Sequence, residues 1–386
     1  MAISYNSGTV LSTSVNTDRH VIDMENEIFM LDPTAAPFSI FLNKIGKEKA
    51  TNKEVNCLEY RTKEYVLYGG TTAFTGAVTS ILMKTAATGG DTATYLQVDD
   101  VLYNTDTSEH MLVTAIATTG TATVTRGIGA SDAATGGTSL SGVKYFVLAD
   151  AQAEASNKRS SLRPKMATVS NYMQIIETLA STSKSELAIQ HYGGDPRKFL
   201  QKSMGIEHQI KKERSFIYGD KSSSTGSVRT MQGIKSFISS NTKDFSSTTA
   251  NFTKQTLGRS LLEPAFKHNS SMRKIALCGS YVLDAMQSWP TAKLELDQNI
   301  NFYGLPIVNQ RSAYGELVVA YHRQLLPGEI IILDLKYVKE AYLRSLKLNL
   351  NVQTPGADVV DDQYIEECTL RVKLEECHAY GYNVIS

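Results

Sequence analysis

The feature that most limits the fold is a break in composition inside a stretch of strand-forming sequence. Residues Glu54 to Leu67 (EVNCLEYRTKEYVL) and Ala167 to Ala180 (ATVSNYMQIIETLA) share β-branched and aromatic character and read as the two arms of one hairpin. Between them, Gly69 to Ser156 holds 18 Thr and 11 Gly among 88 residues, with no Pro, Cys or Trp. Short runs there (Tyr95–Leu102, Met111–Ala117, Thr121–Arg126, Lys144–Leu148) are punctuated by Gly and Asp turns, the spacing of a small all-β domain. The simplest path is a long hairpin with a compact β unit at its tip. A hairpin that long cannot bury both faces against its own subunit, so it predicts a neighbour.

The flanking sequence alternates helix and strand patterns. The first twenty residues are polar and read as an arm without a core. Val21, Met24, Ile28 and Leu31 recur at helical spacing, and a second short helix runs from Phe38 to Ile45, stopped by Gly46. Asp195-Pro196 supplies an N-cap and a first-turn proline for a helix running to Tyr218 and closed by Gly219. At 1.5 Å per residue it is roughly 35 Å long. Its expected apolar stripe is Phe199, Ile206, Ile210 and Ile217, and the rest is basic: Arg197, Lys198, Lys202, Lys211, Lys212 and Arg214 against Glu207 and Glu213, or 6 − 2 = +4. Downstream, Thr256–Phe266 is expected as a helix interrupted by Pro264, and Tyr281–Trp289 as another. Lys274–Cys278, Ile307-Val308, Leu317–Tyr321 and Ile330–Leu333 are expected as strands. Tyr364 to Ile385 reads as one long half-buried strand whose phase slips near Glu375-Glu376. The class is α+β.

Composition narrows the function. The 386 residues carry 39 basic and 39 acidic side chains, so the formal charge is zero. A freestanding basic nucleic-acid binder is unexpected at that balance, whereas packing against copies of itself meets no net repulsion. Cys57, Cys278, Cys368 and Cys377 are far apart, so no zinc ribbon or disulfide scaffold is expected. No signal peptide and no membrane span is read, and a reduced, soluble, cytosol-made chain is expected.

The search for chemistry ends without a site. The seven histidines lie in separate segments and form no HExxH pair, so they read as ordinary surface or core histidines. There is no P-loop, and Gly127-Ile128-Gly129 reads as a hairpin turn. Ser280 lies in LCGSY, which is no nucleophile elbow. Asp361-Asp362 and Glu366-Glu367 are neighbours on a strand and point to opposite faces, so they read as solvated or as partners for basic groups of another subunit. No catalytic, cofactor-binding or metal-binding residues are assigned, and no enzyme is expected.

The order of segments resembles a tailed-bacteriophage major capsid protein of the Hong Kong 97 type, in the branch with an inserted β domain in its extended loop. DMENEIFMLDPTAAPFSIFLNKIG (Asp23–Gly46) is similar to that family's N-terminal helix and Pro-Phe turn. VSNYMQIIETLASTS (Val169–Ser183) resembles its loop-return strand, and KKERSFIYGD followed by RTMQGIKSFI resembles the end of its spine helix and the Gly-Ile turn. LPGEIIILDLKYVKEAYLR is similar to the axial-domain strand, and IEECTLRVKLEECHAYGYNVI to the closing strand of the peripheral domain.

The resemblance implies a division of the chain. Residues 1–50 would be an N-terminal arm with leading helices, 51–72 and 155–182 the extended-loop hairpin, and 73–154 the inserted β domain. Residues 183–256 with 355–386 would form a peripheral domain carrying the spine helix 196–218, and 257–354 an axial domain. It also implies a subunit that self-assembles into hexamers and pentamers of an icosahedral phage head around double-stranded DNA, in the virion, assembled in the host bacterial cytoplasm. Portal, scaffolding and decoration proteins are implied as further partners, and no membrane or cofactor. Lys198, Lys202, Lys211 and Lys212 would face the packaged genome through sequence-independent phosphate contacts. The β insert would support neighbouring subunits, with Tyr95, Tyr103 and Tyr145 as ordinary core. Two alternatives stay open: an encapsulin-type nanocompartment shell and, in another class, a β-rich adhesin or carbohydrate-binding protein.

Overall fold

The computed structural model of the protein describes residues 37–385, apart from 61–64, 70–78, 86–94, 118–119, 130–142, 155–160, 162–165, 192–193, 224–226, 247–251, 269–270, 290–300 and 303–304. The helix expected over Val21–Leu31 lies outside the described residues. The chain divides into two compact units, Met1–Cys57 with Thr168–Ser386, and Leu58–Ala167.

The first unit is organised by a seven-stranded sheet in which Arg273–Cys278 and Ile330–Leu333 are central. Ile275, Leu277, Ile331 and Leu333 point to one side, and Ala276, Cys278, Ile330 and Ile332 to the other, each into its own apolar cluster. Burial on both faces is why Ile330-Ile331-Ile332-Leu333 reads as an unbroken apolar run with no alternation. One cluster is completed by Phe38, Phe41 and Leu42 of the helix Pro37–Ile45 and by Phe216 and Ile217 of the helix Pro196–Tyr218. The other is completed by Leu257, Leu261 and Leu262, and by Val282 and Met286 of the helix Ser280–Gln287.

Pro264 does not interrupt its helix as expected. Helix continues from Lys254 to Lys267, and the five residues Gly258–Leu262 widen into a π-turn immediately ahead of the proline. A proline lacks the N–H and crowds the carbonyl four residues back, and the wider turn absorbs both defects.

A second, four-stranded sheet has the order Lys47–Lys49, Val338–Asn349, Val359–Val372, Gln174–Ser183. Its pairing crosses the boundaries expected from sequence. Val338–Asn349, expected in the axial domain, pairs antiparallel with Val359–Val372, while Thr242–Asp244 and Ala379–Tyr382, expected in the peripheral domain, join the seven-stranded sheet. The single closing strand expected over Tyr364–Ile385 is two strands in two sheets. Leu374 takes φ 52° and a tight turn at Glu375–Cys377 carries the chain from one sheet to the other, so the slip in phase is a change of sheet and no bulge.

The long helix starts and stops where the sequence indicates. Asp195 accepts from the Arg197 N–H as N-cap, Pro196 opens the first turn, and the helix ends at Tyr218. Gly219 serves for a reason other than handedness, since its φ is −56°. A Cβ there would lie 2.5 Å from the Ser215 carbonyl and 2.6 Å from that of Met231, so only glycine lets the returning chain pass.

The second unit is a closed barrel in the order Val66–Gly69, Ser80–Lys84, Thr121–Arg126, His110–Ile116, Asp100–Asn104, Lys144–Asp150. Its first strand comes from residues expected in the hairpin, because Leu67 and Gly69 alternate inward with the barrel core. Closure removes free sheet edges from a Thr/Gly-rich sequence that would otherwise expose them. Arg126 and Glu109 form a buried bidentate pair, at 2.8 and 2.6 Å. Tyr103 is not core: it stands on the outer wall, stacked on Phe146 with ring centroids 6.4 Å apart. Tyr145 is fully buried, and its hydroxyl has no partner among the described residues. An unsatisfied buried hydroxyl costs about 1–3 kcal/mol. Tyr145→Phe is therefore expected to raise the barrel's stability by about 1 kcal/mol in hydrogen-exchange or thermal measurements. A loss of similar size would show that the hydroxyl is satisfied.

Candidate functional site

The long helix was expected to bury an apolar stripe. Instead Phe199 is exposed, Ile206 and Ile210 are half-buried, and the fully buried side chains are His208, Lys212, Glu213, Phe216 and Ile217. Arg197, Gln201, Gly205, His208 and Lys212 recur at three- and four-residue spacing on one helix face and meet Asp362, Tyr364 and Glu366 of the strand Val359–Val372. The helix rises about 22 Å from Arg197 to Lys212 against about 13 Å of strand, and the long Arg197, Gln201 and Lys212 side chains span the difference.

The contacts run in order along this polar seam. Asp362 accepts two bonds from Arg197, at 2.7 and 2.6 Å, and one from Gln201 at 2.7 Å. These donors, Arg197 above all, hold its carboxyl at about 2. The Tyr364 hydroxyl donates to the Gln201 carbonyl, and its ring lies where a side chain at Gly205 would begin. His208 bridges Thr178, at 3.1 Å, and Glu366, at 3.2 Å. Lys212 Nζ lies 2.7 Å from Glu340 Oε1 and 3.1 Å from Glu366 Oε2, and Lys47 adds a second ammonium 2.9 Å from Glu340. Burial works against the charged Lys212, but Glu340 and Glu366 outweigh it and raise its pKa. Glu340, Glu366 and Cys368 are spaced as metal ligands could be. The Lys212 ammonium already supplies their countercharge, and burial, reinforced by Glu366, keeps the Cys368 thiol protonated.

Glu213, on the same helix, makes a second junction. Its Oε1 accepts from the Phe38 N–H at 2.9 Å and its Oε2 from the Ser39 N–H at 3.0 Å. These are two of the unpaired donors at the start of the helix Pro37–Ile45, so a carboxylate 174 residues away does the work of an N-cap. His322 completes the site with Nε2 2.6 Å from Glu213 Oε1. Its Nδ1 accepts from the Gln324 N–H at 3.1 Å, so Nε2 carries the proton given to Glu213.

The four lysines expected to face a genome separate. Lys198 is 82% exposed and Lys202 is exposed, whereas Lys211 is half-exposed and paired with Glu207 at 2.9 Å. Lys202 and Lys211 are nine residues apart, about 180° around the helix, so they share no face. Lys212 is corrected outright: it is enclosed between two carboxylates and faces no solvent. The paired carboxylates are corrected as well. Asp362, Glu366 and Glu367 are buried and answered by basic groups of their own chain, Glu367 by Arg229 at 3.0 Å and Arg344 at 2.9 Å. Sequence reading missed Arg197, His208, Glu213 and Glu340 as structural partners. The signal was present in the four-residue spacing of Arg197, Gln201 and Gly205 against the alternation of Asp362, Tyr364, Glu366 and Cys368.

Apolar side chains remain on outer surfaces. Along the strand Gln174–Ser183, Ile176, Thr178 and Ala180 are covered, while Ile175 and Leu179 are each about half exposed on the opposite face. Ile365, across from Glu177, stands between them. In the second unit Leu58, Tyr60, Tyr65 and Met166 are exposed.

The sequence profile of the SU10 major capsid protein family matches residues 4–384. The chain belongs to that family. One solved structure supports the fold: the capsid of a native GTA particle superposes with a TM-score of 0.50 at 9% identity, covering 97% of this chain and 98% of that one. A chain from a structure titled Mycobacterium phage Cain gives 0.49 at 10% identity, covering 97% and 98%. No curated protein matches the sequence. The Hong Kong 97-type fold and the role of a phage-head shell subunit follow, and the adhesin reading falls. No helix among the described residues is long and apolar enough to cross a membrane.

One buried histidine sets an acid limit on this unit. His378 Nδ1 accepts from the Asp334 N–H at 3.2 Å and its Nε2 contacts the Lys373 carbonyl at 3.2 Å, at the turn that joins the two sheets. Burial pushes its imidazole down to about 4 from an ordinary 6.5. The unfolded chain takes up this proton first, so stability falls as pH drops from about 6.5 towards 4. The loss between pH 7 and pH 5 is expected to be about 2 kcal/mol by denaturant unfolding, and to vanish in His378→Gln. An unchanged pH dependence in that variant would assign the acid sensitivity elsewhere.

Proposed function

We propose that this capsid subunit assembles with its own copies into hexamers and pentamers of an icosahedral head closed around double-stranded DNA. One observation carries the reading. The buried polar groups of the long helix are satisfied internally, while Ile175 and Leu179, with the partly buried Ile365 between them, stand on a sheet face that the described residues leave exposed. A surface of that kind is completed by a neighbour. In a closed lattice each contact can be modest, because many act together and misplaced subunits can leave. Electron microscopy of the purified chain tests this, with closed shells expected; a monodisperse monomer at high concentration would oppose it.

The interior wall is read from the exposed basic residues. Lys198 and Lys202 lie about 40° apart on the N-terminal half of the helix and form the basic face, with Lys211 apart from them. Attraction of this kind depends on salt and not on base sequence. We assign no catalysis to the chain, place it in the virion head and place its assembly in the host cytoplasm. The reading keeps the implied division into extended loop, inserted, peripheral and axial domains as a proposal. Lys198→Gln with Lys202→Gln is expected to leave shell assembly unchanged and to shift DNA release from filled heads to lower salt. Failure of the double variant to assemble would make these lysines structural and remove them from the wall.

A further inference from the structure

A cavity of about 280 Å³ lies between the start of the helix that runs from Lys254 to Lys267 and the turn that joins the strands Leu305–Arg311 and Glu316–Tyr321. Leu257 and Leu262 form its floor and the ring of Tyr314, on that turn, a wall. Gly258 keeps it open, since a Cβ there would already touch the Tyr314 ring at 3.7 Å. The exposed Lys254 and Arg259 flank it, neither has a partner among the described residues, and no carboxylate lines it. Apolar cavities near 150 Å³ accept benzene, so this one has room for a whole aromatic side chain. The chemistry it fits is an aromatic ring with a carboxylate beside it.

The chain carries that pair at the other end of the same sheet. Arg273–Cys278 and Glu316–Tyr321 run parallel, with Arg273 beside Glu316 and Cys278 beside Tyr321. The cavity opens at the Glu316 end. The helix Ser280–Gln287 starts beyond the Cys278 end, where the Tyr281 N–H donates to the Pro327 carbonyl at 3.0 Å. Five strand steps, roughly 17 Å, separate the two ends. Tyr281 is 43% exposed and Leu326, on the adjoining turn, 57%. Asp284, one helical turn from Tyr281, is exposed and its carboxylate has no partner among the described residues. The exposed carboxylates of Glu177, Glu186 and Asp358 are, by contrast, already engaged within the chain.

We infer that a second copy of the chain docks head to tail at this cavity, with its Tyr281 in the Leu257–Leu262 floor and its Asp284 between Lys254 and Arg259. The inference rests on the shell reading above and names the contact that joins copies within one ring. Complementary patches at opposite ends of one chain make a heterologous contact, and such contacts form a ring when the rotation between copies closes. Charge fixes the partner's orientation, with two unpaired cations at one end and an unpaired carboxylate beside an exposed ring at the other.

Cysteines at exposed positions of the two ends read the contact in assembled shells: Ala313→Cys beside the cavity and Gln287→Cys one turn past Asp284, treated with a short bismaleimide. The native cysteines are buried and stay silent. The double variant is expected to give a denaturing-gel ladder that ends at pentamer and hexamer, and each single variant to stay monomeric. Shells that form without a ladder, or links in a single variant, overturn the contact and leave the shell reading standing; a chain that forms no shell at all overturns both. As a second measure, K254E/R259E and D284K are each expected to cut shell yield about tenfold, and the triple variant K254E/R259E/D284K to recover most of it. A triple variant no better than K254E/R259E, with an unchanged circular-dichroism spectrum, would also refute the docking.

Discussion

The structure depends on a seam of buried polar contacts between one helix and one strand. The helix Pro196–Tyr218 lies over Val359–Val372 through Arg197–Asp362, His208–Glu366 and Lys212 between Glu340 and Glu366, all in places where an apolar seam would be ordinary. Buried ion pairs are a poor source of net stability, because desolvation offsets much of their attraction. Their use here is positional. Sliding the helix by one turn, about 5.4 Å, would part Lys212 and His208 from Glu366 and leave Glu340 with Lys47 alone, at a cost of several kcal/mol. Apolar side chains would tolerate such a slip far better, since their attraction has no direction.

Fixing that register fixes much else. Glu213 follows Lys212 directly, so the seam also sets where the helix Pro37–Ile45 is capped. Phe216 and Ile217 complete the apolar cluster on one face of the seven-stranded sheet, and Gly219 then lets the chain return past Gly233. Outer faces with exposed apolar side chains, including Ile175 and Leu179, are left over.

Local elements were largely legible in the sequence, because their signals are local. The Asp195-Pro196 start, the apolar run at Ile330–Leu333 and the Gly/Asp-punctuated strands of the barrel each follow from residues close together in the chain. What was hidden is pairing at long range. A lysine-rich helix looks solvated until Glu340 and Glu366 arrive from 128 and 154 residues away, and Lys212 therefore read as a genome contact. Tyr364 to Ile385 read as one strand because its alternation is nearly continuous, and only the left-handed backbone of Leu374 reveals the change of sheet. Pro264 read as a break because a π-turn leaves no mark in side-chain periodicity.

The seam is tested most directly by a double-mutant cycle on Lys212→Met and Glu340→Leu, with unfolding free energies measured at neutral pH. Each single change should cost about 2–4 kcal/mol, less than for a fully stranded charge, because Glu340 keeps Lys47 and Lys212 keeps Glu366. The double variant should cost much less than the sum, giving a coupling of at least about 2 kcal/mol. Costs that add to within about 0.5 kcal/mol would mean that the two groups do not hold each other, and that the helix is placed by something else.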